Sequence, residues 1–181
     1  MHILTIMQDA QYWIKKLFLK EHPEGGFYRE VYRSGEFVEG IHLKDKRQGK
    51  RNLATSIYFL LKSSEKSLLH RLKSDETWYY HFGSPIHLYC FDAHANLTEV
   101  VLGPDLEKHE CLQFTISEGT IFGGLVHGQN NYCLTGCMVS PGFSFDDFQL
   151  LSREYMLDKY PRHRETILKL TAETKNSTLY Y

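Results

Sequence analysis

The hydrophobic positions of the chain change period twice. From about Met7 to Lys20, apolar residues recur at three- and four-residue spacing and leave lysines on the opposite side. They are Ala10, Trp13, Ile14, Leu17 and Phe18. This spacing predicts an amphipathic helix over residues 7–20. The helix should end at His22-Pro23-Glu24-Gly25-Gly26, because proline disfavours helix at the residue before it and paired glycines favour a turn.

After this turn the pattern becomes that of β-strands. Short runs rich in aromatic, aliphatic and β-branched residues are separated by Gly, Pro, Ser and Asp. The predicted strands are residues 27–33, 54–61, 78–82, 86–91, 97–102, 111–116, 120–122 and 132–139. Short strands with turn residues between them at such regular intervals are typical of a sandwich or barrel.

The period becomes helical again near the C-terminus. Asp146 or Asp147 can cap the first of two helices, and Pro161 suits the first turn of the second. We expect these helices within about residues 147–172. Because no repeat or linker divides the chain, the pattern predicts one domain, with a barrel over about residues 24–145 between terminal helices.

One segment between two predicted strands, residues 36–52, is polar and basic. Its cations are Lys44, Lys46, Arg47, Lys50 and Arg51. No glycine-rich turn opening a helix follows it, so the segment lacks the usual features of a phosphate site. We expect a solvent-exposed loop.

Composition and charge exclude several functional classes. The chain has 181 residues and is 42% hydrophobic, which is enough for a core without disulfides or a structural metal. Lys and Arg number 21 against 22 Asp and Glu, a net charge of −1, so no positive field attracts a nucleic acid or an anionic membrane. No apolar run reaches the length of a membrane span. We therefore expect neither a nucleic acid nor a membrane as a partner.

The cysteines fit a reducing compartment. No N-terminal stretch has the features of a secretory signal, so we expect a cytoplasmic protein with reduced thiols. Cys133 and Cys137 have the spacing of a possible zinc pair, but no second pair of ligands accompanies them. Since they also fall in a predicted strand, buried core thiols are the favoured interpretation.

The richest chemistry lies in residues 70–83. In an extended segment, side chains of even number share one face, provided that the turn at Ser74-Asp75 preserves the register. On this face lie His70, Leu72, Glu76, Trp78 and Tyr80. An imidazole, a carboxylate and aromatic rings together suit an apolar cavity with a few polar groups.

The same stretch resembles the first motif of the cupin superfamily, G-x5-H-x-H-x3,4-E-x6-G. His70, Glu76 and Gly83 fall at the expected offsets, and Leu72 stands in place of the second histidine. The second cupin motif is degenerate here, and Phe122 stands where a metal-binding cupin has a histidine.

A wider resemblance, to the cupin type 5 subgroup, covers most of the chain. It rests on four blocks in the same order, at residues 22–30, 54–61, 70–78 and 136–148. Where the subgroup has a V-P-A-G-x-W-F segment, this chain has residues 116–122 without the proline and tryptophan. The resemblance implies a mainly β, double-stranded β-helix (jelly-roll) barrel flanked by helices. It also implies a homodimer with the site inside the barrel mouth.

A cupin metal centre ordinarily has three histidines and a glutamate. This chain keeps His70 and Glu76, and Gln113 is a further weak, neutral donor. We therefore expect no cofactor. The alternative is a divalent Mn, Fe, Ni or Zn ion on these three residues, serving a dioxygenase or lyase reaction. Three other histidines are expected at the surface or in hydrogen bonds: His81, His87 and His127.

Our primary functional prediction is the binding of a small sugar-like or aromatic, polar metabolite. Aromatic rings in the cavity would stack on a flat ring or on a sugar face. Arg29 or Arg33 could contact a phosphate or carboxylate of the ligand. The predicted ligand-binding residues are Tyr28, Arg33, Trp78, Gln113 and Phe122.

The alternative without metal is an isomerase or epimerase, as in the sugar-nucleotide 3,5-epimerases that resemble cupins in fold. His70 would be the base and Glu76 would orient or stabilise it. The acid would be Tyr28, Tyr58 or Tyr80, whichever points inward. A purely structural, hydrogen-bonded pair of His70 and Glu76 is the remaining interpretation.

Overall fold

The computed structural model describes residues 8–173. The first helix, α1, spans Ala10–Lys16 and is shorter than predicted. Asp9 caps it by accepting a hydrogen bond from the Tyr12 backbone N–H. It ends early because Phe18 adopts a left-handed backbone with φ 53°, which leaves that ring exposed. The predicted start at Met7 lies outside the described residues.

Most of the chain between the terminal helices is β-structure. The strands are β1 Lys20–Glu21, β2 Phe27–Arg33, β3 Phe37–Glu39, β4 Lys50–Asn52, β5 Thr55–Lys62, β6 Ser67–Leu72, β7 Asp75–Gly83, β8 Ile86–Phe91, β9 Leu97–Leu102, β10 Gln113–Ile116, β11 Ile121–Val126, β12 Tyr132–Ser140 and β13 Phe148–Leu150. The predicted strands all appear. Three of them, 27–33, 86–91 and 97–102, match β2, β8 and β9 at both ends, and the others differ at one or both ends.

Two antiparallel sheets form the barrel. One has the order β1-β2-β5-β12-β7-β10 and the other the order β13-β6-β11-β8-β9. Between them lies the main core, which includes Phe59, Leu61, Trp78, Leu88 and Phe122. The prediction of a mainly β jelly roll with helices at both ends is confirmed. Cys133 and Cys137 are free thiols buried in this core.

The C-terminal helices begin later than predicted. Asp147 lies in a 3₁₀ turn and is followed by β13, so its prediction as a helix cap, with that of Asp146, is wrong. Helix α2, Arg153–Lys159, is capped instead by Ser152, whose Oγ accepts from the Tyr155 N–H. With α3, Arg164–Leu170, it buries apolar residues against the outer face of the five-stranded sheet. No helix within residues 8–173 is long and apolar enough to cross a membrane.

The basic segment 36–52 is more ordered and more buried than its polarity predicts. Strands β3 and β4 pair as a hairpin. The side chains of Arg47 and Arg51 are 4% and 7% exposed. Asp147 receives hydrogen bonds from Arg47 Nη1 at 3.0 Å and from Arg51 Nε and Nη2 at 2.6 and 2.9 Å. We call Arg47, Arg51 and Asp147 the arginine latch, because they fasten the hairpin to the turn before β13.

Candidate functional site

A cavity of about 350 Å³ opens between the two sheets. Inward-facing residues of the six-stranded sheet form one wall, because residues paired across strands share a face. Two rows of this wall are Glu76-Val139-Thr55 and Trp78-Cys137-Ile57. The opposite side comes from β6 and β13 through His70, Leu72 and Phe148.

The inner end of the cavity contains a buried cluster of Glu24, His70 and Glu76. His70 Nδ1 lies 2.7 Å from the Leu68 carbonyl oxygen, so this nitrogen carries the proton and donates. Burial lowers the pKa of His70 to about 4, which leaves the ring neutral near pH 7. Its Nε2 therefore presents a lone pair to Glu24 Oε2 at 3.2 Å.

Glu24 fits this arrangement as a protonated acid. Burial raises its pKa, although His22 and a hydrogen bond from Ser67 Oγ at 3.0 Å act in the opposite direction. A protonated Glu24 donates to the lone pair of His70 Nε2, which pairs two buried groups without a net charge. Both ring nitrogens of His70 are thus already engaged.

Glu76 differs from Glu24 in having a free oxygen. Burial raises the pKa of Glu76 to about 8, and a negative charge on Glu24, in states where Glu24 is ionised, acts in the same direction. Its Oε2 has no hydrogen-bond partner within residues 8–173, and neither has the indole Nε1 of Trp78. The indole lies near enough to the carboxylate to oppose the rise in pKa, but it does not reach hydrogen-bond geometry. Each such buried group costs about 1–3 kcal/mol while unpaired, so the cavity favours a ligand that pairs them.

Of the residues predicted from the sequence, five line the cavity: Tyr28, Arg33, His70, Glu76 and Trp78. Arg33 lies at the mouth and is already paired, since its Nε and Nη2 donate to Glu30 at 2.9 and 2.7 Å. A ligand phosphate or carboxylate would have to displace Glu30 to reach it.

Five predicted residues do not line the cavity. Arg29 and Tyr58 are two of them, and Tyr58 packs with the hydrophobic cluster that includes residues of α1. Phe122 belongs to the main core and packs against His70, with 4.2 Å between the two ring centroids. Tyr80 shares the face of Trp78 but lies farther along the barrel, where its hydroxyl donates to the Gly83 carbonyl oxygen at 2.6 Å. Gln113 pairs with Tyr79, not with the inward-facing Trp78, so it points outward and is exposed.

Sequence reasoning did not select His22 and Glu24 as site residues. They lie in the turn before β2, within the first block of the family resemblance, where the sequence indicates a turn but not a site. The Glu24 N–H donates to His22 Nδ1 at 3.3 Å, and His22 packs edge-on against Tyr28 at 4.5 Å between ring centroids. Burial lowers the pKa of His22, which keeps this second imidazole neutral as well.

The cavity does not bring together the ligands of a metal centre. Of the three residues considered for one, Gln113 is outside the cavity and His70 has both nitrogens engaged. Leu72 and Phe122, at the positions of two motif histidines, offer no donor atom. Within residues 8–173, three His, Cys, Asp or Glu donor atoms come within 4.8 Å of one another only on the outer face of the five-stranded sheet, in His87, Glu99 and His127.

Two solved structures are similar to this chain over almost its whole length. A hypothetical protein from Leishmania major is 38% identical with a TM-score of 0.84, and the match covers 91% of this chain and 99% of that one. A protein from Shewanella oneidensis is 44% identical with a TM-score of 0.82, covering 92% and 99%.

More distant structures share the fold alone. A mutant of oxalate decarboxylase from Bacillus subtilis is 15% identical with a TM-score of 0.51, and the match covers 89% of this chain and 41% of that one. A search of curated proteins gave no match.

The family model described as Cupin superfamily (DUF985) matches residues 11–151. This range includes every residue of the barrel wall and of the buried cluster. The chain therefore belongs to the cupin superfamily.

Proposed function

We propose that the barrel cavity binds a small sugar-like or aromatic metabolite through a hydroxyl or carbonyl oxygen. The observation that carries this proposal is a pair of buried, unpartnered polar atoms on residues that line the cavity, Glu76 Oε2 and Trp78 Nε1. The indole N–H only donates, and a protonated Glu76 carries a donor as well. A ligand oxygen that accepts hydrogen bonds complements both.

Because the cluster is uncharged, the cavity favours a ligand whose buried end is also uncharged. Glu24 and His70 form a neutral hydrogen-bonded pair, so they offer no opposite charge to a buried ammonium or phosphate. Burial of an unpaired ion in such surroundings is strongly unfavourable. Charged parts of a ligand would lie instead at the mouth, near Arg33 and Lys50.

The size and lining of the cavity favour a single ring. A volume of about 350 Å³ is at the lower end of the usual range for ligand sites. Aromatic side chains line much of it, including Phe59, Trp78 and Phe148. Such surfaces bind the flat face of an aromatic ring or the apolar face of a sugar.

Calorimetric titration with neutral monosaccharides and neutral single-ring phenols and ketones tests this proposal. We expect a compound in one of these classes to bind with one-to-one stoichiometry. Glu76→Gln keeps a donor at this position and should bind within about threefold of the original chain. Glu76→Leu and Trp78→Phe each remove a buried donor and should weaken binding by about tenfold, since a net hydrogen bond contributes about 1 kcal/mol or somewhat more.

Gln113→Ala is the matched control, because Gln113 was predicted in the site but faces solvent. Its affinity should equal that of the original chain. The proposal is wrong if neither class of compound binds, or if Glu76→Leu binds as well as Glu76→Gln.

A second candidate function, proton transfer to or from the bound ligand, is favoured at Glu76. A general base works best with a pKa near the working pH, and burial beside Glu24 raises the pKa of Glu76 to about 8. His70 is less suited to the role of base given to it in the sequence analysis, because both of its nitrogens are engaged and burial lowers its pKa to about 4.

Hydrogen exchange into a bound ketone separates catalysis from binding. In D₂O, proton NMR should show loss of the signal of the hydrogen next to the ligand carbonyl, catalysed by the original chain. Glu76→Gln should keep the ligand but slow this exchange by at least about a hundredfold, as loss of a general base does. Exchange at an unchanged rate in Glu76→Gln would exclude Glu76 as the base and leave binding as the function.

A further inference from the structure

A second group of donor atoms lies on the outer face of the five-stranded sheet, away from the cavity. His87, Glu99 and His127 each offer one donor atom, and these atoms lie within 4.8 Å of one another. His87 Nδ1 is 2.6 Å from Glu99 Oε1. The two imidazole rings meet at 4.2 Å between centroids and at 79°.

The pairing of β11, β8 and β9 places these side chains together. His87 lies directly opposite Leu125 in β11 and opposite Val101 in β9. Glu99 is two residues before Val101 and His127 is two residues after Leu125, so both lie on the face of His87. Three neighbouring segments of one sheet therefore hold the donors close without a rearrangement of the backbone.

We infer that His87, Glu99 and His127 form a surface site for a divalent transition-metal ion, with Zn²⁺ as the best match. Two imidazole nitrogens and one carboxylate oxygen are donors that zinc binds well, and three protein donors leave one tetrahedral position open. The ion would replace the hydrogen bond between His87 Nδ1 and Glu99 Oε1. Tyr89, whose hydroxyl is 3.5 Å from His127 Nε2, is placed to orient that ring.

This site is independent of the proposed ligand cavity. His87 faces outward, whereas its neighbours Ile86 and Leu88 face the barrel core. Two features moderate the affinity. Glu99 is half exposed, and the Lys169 ammonium lies near His127, where it adds to the lowering of the His127 pKa that burial and His87 mainly cause. The nearby cation weakens the attraction for a metal ion without blocking its approach.

Zinc titration of the full chain, without an affinity tag and after treatment with chelator, tests the inference. Calorimetry at pH 7.5 should show one equivalent of Zn²⁺ bound. His127→Ala and Glu99→Gln should each weaken binding by at least about tenfold, because each removes one of three ligands. His42→Ala, which removes an exposed histidine elsewhere, should leave affinity unchanged.

Cobalt substitution excludes binding by the cysteines. A Co²⁺ complex of His87, Glu99 and His127 should show visible d–d bands without the intense near-ultraviolet band of a thiolate ligand. The inference fails if no Zn²⁺ binds, if His127→Ala and Glu99→Gln both keep the original affinity, or if the thiolate band appears.

Discussion

Asp147→Ala should lower the free energy of unfolding by about 3 kcal/mol. The substitution leaves the guanidinium group of Arg51 buried without its hydrogen-bonded carboxylate and removes one of the two carboxylates of Arg47, which keeps Asp45. Removal of one partner from a buried ion pair typically costs at least this much. Burial would raise the pKa of Asp147, but hydrogen bonds from Arg51 and Arg47 outweigh it and hold the pKa below its usual value. This carboxylate therefore stays charged at neutral pH.

Urea unfolding followed by circular dichroism measures the effect. Asp146→Ala is the matched control, because its side chain is 84% exposed and lies 4.0 Å from Arg51 at the nearest polar atoms. Such a surface pair contributes about 0–1 kcal/mol. Equal losses of stability in the two variants would show that the arginine latch is not a buried ion-pair network.

Gly25→Ala should destabilise the fold by roughly 3 kcal/mol and move Glu24 away from His70. Gly25 has φ 104°, a conformation that costs an alanine about 1–2 kcal/mol. A Cβ there would also collide with the Lys66 carbonyl oxygen, and crowding of this kind costs about 1–3 kcal/mol. The close approach matters for the site because the Leu68 N–H donates to the Glu24 carbonyl oxygen at 2.8 Å beside it.

Two other glycines separate the cost of the positive φ from the cost of the steric collision. Gly119 has φ 78° but open space around it, so Gly119→Ala should show only the conformational cost of about 1–2 kcal/mol. Gly35 has open space and no positive φ, so Gly35→Ala should be nearly neutral. Chemical denaturation ranks the three variants, and ¹⁵N NMR of the His70 ring reports its contact with Glu24. If Gly25→Ala is no worse than Gly119→Ala, and the His70 signals are unchanged, the collision does not govern the position of Glu24.

The sequence predicts the barrel well because strand alternation is a local property. The alternation from His70 to Trp78 predicts that His70, Glu76 and Trp78 share one face of an extended segment. In the structure the chain passes from one sheet to the other at residues 73–74, so His70 on β6 lies opposite Glu76 and Trp78 on β7, and all three line the cavity. Alternation predicts which side of a strand a residue occupies but not how far along the barrel it lies. Tyr80 therefore shares the face of Trp78 but lies past the end of the cavity. The outward orientation of Gln113 depends on the register between β10 and β7, which no local sequence pattern encodes.

Contacts between distant segments account for most of what sequence reasoning missed. Glu24 and His70 are 46 positions apart and meet at 3.2 Å because of the barrel pairing. In the same way, Arg47 and Asp147 are 100 positions apart. A run of cations between two strands is usually solvated, so the burial of Arg47 and Arg51 becomes visible only when their distant carboxylate is located.

The shifted pKa values of Glu76 and His70 also make the stability of the fold depend on pH. The pKa of Glu76 rises from 4.5 to about 8 in the folded barrel, so the folded chain keeps a proton that the unfolded chain releases, and this group lowers stability as pH increases through that interval. The pKa of His70 falls from 6.5 to about 4, so this group adds stability as pH increases across its own interval. Up to about pH 6.5 the effects of Glu76 and His70 on stability oppose each other. Between about pH 6.5 and pH 8 only the destabilising effect of Glu76 remains. A ligand that binds the protonated Glu76 would thus bind together with a retained proton, and mildly alkaline conditions would weaken the fold and the complex at once.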